Sequence, residues 1–122
     1  DVRVNSANAK LITFQIVMRF DSTKLQATKC AVGSDWMGYD FSCTINNPVT
    51  EALMVGADPL STKQGSALTI ATVSLEVVST FRVLTGITAE ILVMTRSDNP
   101  SASDAVSTAV AGTGSMALNS FA

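Results

Sequence analysis

Apolar and polar side chains alternate along much of this chain. From Leu11 to Phe20, Ile12, Phe14, Ile16, Met18 and Phe20 are apolar, with Thr13, Gln15, Val17 and Arg19 between them. A strand points successive side chains to opposite faces, so this period predicts a strand with one dry and one wet face. Asp21-Ser22-Thr23-Lys24 breaks it with turn-forming residues. Leu25 to Val32 predicts a second short strand, followed by a turn at Gly33-Ser34-Asp35. Tyr39, Phe41, Cys43 and Ile45 then alternate with Asp40, Ser42 and Thr44, a third strand. Asn46-Asn47-Pro48 ends it, because proline cannot donate to a ladder. Glu51 to Ala57 predicts a fourth, closed by Asp58-Pro59.

In the next segment Leu68 and Ile70 keep one phase while Val73, Leu75 and Val77 keep the other. Such a slip predicts a β-bulge near Ala71-Thr72. Ile87 to Arg96 predicts a further strand, and Ser97 to Asp104 a polar loop. Ala105–Val110 and Ser115–Phe121 read as a closing hairpin around Gly112-Thr113-Gly114. The first ten residues carry the weakest pattern; Val2 and Val4 suggest only an extended N-terminal arm or an edge strand. No window supports a long amphipathic helix. About seven to nine short strands punctuated by Gly, Pro and Asn predict an all-β fold, an antiparallel β-sandwich. We read residues 1–122 as one such domain.

Composition narrows the function classes. A chain of 122 residues fits one core, and 47% hydrophobic with 15% charged residues excludes a disordered tail. The net charge of −2 gives no general hold on a phosphate backbone, so no nucleic acid partner is expected. There is no histidine, which removes the commonest general base and transition-metal ligand. Serine and threonine number 28 against 8 lysines and arginines, a hydroxyl-rich surface of the kind secreted β-proteins carry. No apolar run approaches the roughly 18–20 residues of a membrane span. The chain starts at Asp1 without a signal-peptide pattern, and we read it as a mature or excised segment.

Little catalytic chemistry is visible. The ten acids are scattered singly, no histidine is present to activate a serine, and neither a G-x-S-x-G elbow nor a Walker loop occurs. We expect no enzyme, no catalytic residue, no cofactor and no metal. The stretch Asp98 to Asp104 offers oxygen ligands of the type calcium takes, but it lacks the EF-hand spacing and reads as a polar loop. Trp36, the only tryptophan, lies near Tyr39. The pair is either a stacking surface for a sugar or partner, or a plug at one end of the core. Cys30 and Cys43 are too far apart for a CxxC motif. A disulfide joining two neighbouring strands is the structural reading; two buried free thiols or a reactive thiol are the alternatives. A bridge would imply an oxidising compartment.

Three stretches resemble a cohesin domain, the sandwich module of cellulosome scaffolds. They are Ile16-Val17-Met18-Arg19-Phe20-Asp21-Ser22-Thr23-Lys24-Leu25, then Phe41 to Asn46 with Ala52-Leu53-Met54-Val55-Gly56, and then Gly65 to Val77 with its Gly-x-x-Leu start. The likeness spans about residues 11–96. It implies a nine-stranded jelly-roll sandwich that binds a protein partner, typically a dockerin, through one sheet face. On this chain that face would include Thr13, Gln15 and Arg19. With Trp36 and Tyr39 these are the candidate partner-binding residues. Cohesins usually place two strands before the aromatic-Asp strand, and only about ten residues precede it here. A missing strand would leave an open slot that a neighbouring copy fills by strand addition, producing a filament. The sequence therefore suggests a non-enzymatic extracellular or cell-surface module. Its partner is a dockerin-like protein or copies of itself, as in a structural subunit or repeat; a carbohydrate-binding module is the further alternative.

Overall fold

The computed structural model describes residues 1–6, 10–58, 63–65, 67–78, 86–96, 102–110 and 116–119. Among them run nine strands and no helix: β1 (Val2–Asn5), β2 (Leu11–Arg19), β3 (Leu25–Val32), β4 (Asp40–Ile45), β5 (Glu51–Ala57), β6 (Leu68–Val77), β7 (Gly86–Arg96), β8 (Ala102–Val110) and β9 (Met116–Asn119). They form a four-stranded sheet ordered β3-β6-β1-β9 and a five-stranded sheet ordered β4-β5-β2-β7-β8. Every pairing is antiparallel except that of β1 with β9, which is parallel.

The predicted alternation supplies the core. Phe14, Ile16 and Met18 of β2, Ala52 and Met54 of β5, and Ala89, Ile91 and Met94 of β7 turn inward from one sheet. Val2, Val4, Leu25, Ala27, Leu68 and Ile70 meet them from the other. At the start of β2 the register slips between Leu11 and Thr13. Leu11 is therefore fully buried where Ile12 was expected, and Ile12 is half-buried. The phase change in β6 falls one residue before the expected place. Val2 pairs with Ala71 and Arg3 with Thr69, so Ile70 is the extra residue, and both Ile70 and Ala71 are buried.

Two expectations are corrected. The N-terminus is neither an arm nor an edge: β1 lies between β6 and β9, its short run of two inward valines sufficing because both neighbours complete its ladder. The slot expected there is filled by β1 itself, which pairs on both sides. Nor do the last two strands form a hairpin. β8 extends the five-stranded sheet beside β7, whereas β9 crosses to the four-stranded sheet beside β1. β8 also begins at Ala102, inside the expected polar loop. Of the stretch 98–104, residues 98–101 lie outside the described residues, as does Gly112-Thr113-Gly114.

Gly33 joins β3 to the turn that follows. Its amide donates to the Ile70 carbonyl at 2.8 Å, bringing the two backbones together. A Cβ here would lie 2.6 Å from the Ala71 nitrogen and from the Ile70 carbonyl carbon, main-chain atoms that no rotamer change can move. Gly33→Ala is expected to cost roughly 2–3 kcal/mol through overpacking. Urea denaturation checks this; an unchanged midpoint would show that the turn stands clear of β6.

Candidate partner-binding face

β2 lies at the centre of the five-stranded sheet, with β5 on one side and β7 on the other. Its wet-phase residues therefore face outward amid two flanking strands. Register places Thr13 between Ala57 and Thr95, Gln15 between Val55 and Val93, Val17 between Leu53 and Glu90, and Arg19 between Glu51 and Thr88. Beyond β5, Asp40, Ser42 and Thr44 of β4 continue these rows. Thr13, Gln15 and Arg19 are thus brought onto one face. The centre of that face is apolar: Val17, Leu53 and Val55, with Leu92 and Val93 exposed beside them. Leu92 joins Val93 outside because β7 bulges between Val93 and Ile91. Val17 is only 4% exposed although it stands apart from the core cluster.

Polar groups border this apolar centre. At one end the Thr13 and Thr95 hydroxyls lie 2.6 Å apart. At the other, Arg19 Nε donates to Glu51 Oε1 at 3.2 Å and Nη1 to Glu90 Oε2 at 2.7 Å. The Glu90 hydrogen bond, with Glu51 adding to it, raises the guanidinium above its ordinary pKa. Such exposed pairs add little stability; they fix where Arg19 points. Between β4 and β5 an open depression of about 230 Å³ is lined by Asp40, Phe41, Ser42, Val55, Gly56 and Ala57.

Trp36 does not join this face. It is fully buried, its ring edge-on to Phe14 at 5.0 Å, and its Nε1–H donates to the Asp40 carbonyl at 3.0 Å. The plug, not the platform, is the arrangement found, and a stacking role for Trp36 is corrected on that ground. Gly56 makes room for it: a Cβ there would meet the Phe14 ring and come within 2.8 Å of Trp36 Nε1. Tyr39 is half-buried against Trp36 at 5.6 Å, with Lys63 Nζ 5.4 Å from its ring centre. It immediately precedes β4 and packs against the core rather than on the outer face of β2.

Cys30 and Cys43 are joined, with Cα atoms 6.1 Å apart. The two strands are not neighbours in one sheet. β3 and β4 are the edge strands of opposite sheets, so the bridge closes one flank of the sandwich. Among the described residues no group of three or more acidic or cysteine side chains could hold a metal ion. No helix among them is long and apolar enough to cross a membrane. Sequence reasoning missed Leu53, Val55, Leu92, Val93, Asp40, Glu51 and Glu90 as parts of the face. The one available signal was the unbroken Ala52-Leu53-Met54-Val55 run, apolar on both faces.

The site and the two sheets define a two-layer β-sandwich with a partly apolar outer face. By sequence, no family model matches the chain and no curated protein matches it. Solved structures do match. A non-cellulosomal cohesin from the hyperthermophilic archaeon Archaeoglobus fulgidus superposes with a TM-score of 0.63 at 14% identity, over 98% of this chain and 87% of that one. A cohesin module from a Clostridium perfringens family 33 glycoside hydrolase gives 0.61 at 7% identity, over 98% and 91%. A type I cohesin–dockerin complex from Clostridium thermocellum gives 0.55 at 12% identity, over 82% and 83%. The fold is cohesin-like, and the likeness extends well beyond the segment 11–96 that carried it in sequence.

Proposed function

We propose that this chain is a non-enzymatic, extracellular or cell-surface interaction module. It binds a dockerin-type or other protein partner through the outer face of β4, β5, β2 and β7. The observation that carries the reading is the apolar group of Leu53, Val55, Leu92 and Val93 around the buried Val17 on the outer sheet face, bordered by polar and charged groups. A hydrophobic centre with a polar rim is the anatomy of a protein interface. The cohesin-like fold supports the reading, one matched structure being a cohesin–dockerin complex. The disulfide supports an oxidising location. Burial of Trp36 removes the main support for sugar stacking.

Titration calorimetry against a panel of dockerin modules tests this. At least one is expected to bind, and Gln15→Arg with Val93→Arg, two like charges set side by side by register, is expected to weaken it at least a hundredfold, since buried interface positions tolerate unpaired charge poorly. The circular dichroism spectrum should not change, because both side chains lie on the outer face. Binding indifferent to the double substitution would contradict the reading. Stoichiometric self-association in the same cell would favour a structural subunit instead.

A further inference from the structure

We infer that the depression between β4 and β5 seats a lysine or arginine side chain of the partner protein. This deepens the proposed function and rests on it. The walls at Phe41, Val55, Gly56 and Ala57 are apolar, while Asp40 and Ser42 supply a carboxylate and a hydroxyl. Long cationic side chains lay their methylene stems on apolar surface and keep their charged heads at polar groups. Of the amphipathic side chains, only these bring a full positive charge to the Asp40 carboxylate at neutral pH.

Charge points the same way. Among the described residues, no cation pairs with the Asp40 side chain. Among the described side chains, the cation on the outer face of β4, β5, β2 and β7 is Arg19, and it is committed to Glu51 and Glu90. Among the described side chains, the three carboxylates of Asp40, Glu51 and Glu90 against the one guanidinium of Arg19 leave this face with an excess of two negative charges. A partner with a basic rim is attracted; an acidic one, or a second copy presenting the same face, is repelled. Asp40 is also suited to carry the contact without structural cost. Its carbonyl, not its carboxylate, holds Trp36, so substitution of the side chain leaves that bond in place.

The test uses two helical peptides with the same row of leucines, one flanked by lysines and the other by glutamates, titrated into the ¹⁵N-labelled chain. The lysine peptide is expected to shift the amides of Ser42, Val55, Gly56 and Ala57. Asp40→Asn is expected to weaken it about fivefold, and the glutamate peptide to bind at least that much more weakly. Equal binding of the two peptides, an affinity unchanged by Asp40→Asn, or shifts confined to other surfaces would each overturn the inference. A dockerin module that binds the outer face of wild type and Asp40→Asn alike would sink this inference and leave the proposed function standing. Failure of every dockerin and peptide to bind that face would sink both.

Discussion

Trp36→Ala is expected to destabilise the fold by about 4 kcal/mol, the cost of deleting a large buried aromatic and leaving its cavity. The indole is fully enclosed, packs edge-on against Phe14, and satisfies the Asp40 carbonyl. Truncation empties the space that Gly56 keeps open and leaves that carbonyl without its donor. Against a typical total of roughly 5–15 kcal/mol, the loss is large enough to threaten folding at ordinary temperature. Unmutated protein offers an independent check. Trp36 is the sole tryptophan, so native fluorescence reports its surroundings alone. Emission should lie well to the blue of the unfolded chain, and acrylamide should quench it poorly. Ready quenching in the folded state, or a melting temperature unmoved by Trp36→Ala, would place the indole at the surface and revive its role as a platform.

Replacing both Cys30 and Cys43 with alanine is expected to cost about 3 kcal/mol, the chain-entropy value for a loop of this length. For a domain of this size that corresponds to a fall of roughly 10 °C in Tm. Placement sharpens the expectation. The bridge ties the edge strand β3 of one sheet to the edge strand β4 of the other, where no ladder crosses between them. Its loss should show first as faster hydrogen exchange in β4, whose other support is its pairing with β5. Exchange raised evenly through both sheets, or an unchanged Tm, would mean that the flank is held by packing alone.

The inner faces were the legible part of the molecule. β2 and β4 announce themselves through alternation because one side of each faces the core, and β5 through a short apolar run between turn signals. Even the slip in β6 was visible, since two adjacent buried residues leave a mark in the pattern. What alternation cannot encode is which strands lie side by side. β1 is too short to show a period, and its interior place depends on β6 and β9, both more than sixty positions away in sequence. The separation of β8 from β9 is likewise a matter of topology, which a local turn signal misreads as a hairpin. The binding face suffered from the same blindness. Val17 reads as a wet position in its own strand, yet register sets it beside Leu53 and buries it. Thr13, Gln15 and Arg19 could be placed on one face from β2 alone. Asp40, Glu51 and Glu90 became parts of it only when the strands that carry them were laid alongside.

The central claim is that this sandwich meets its partner with the outer face of the five-stranded sheet. Amide hydrogen exchange of the chain with and without a bound dockerin module tests it most directly. Protection concentrated in β4, β5, β2 and β7, with β3, β6 and β1 exchanging as in the free chain, is the result expected. Protection confined to the four-stranded sheet would contradict it.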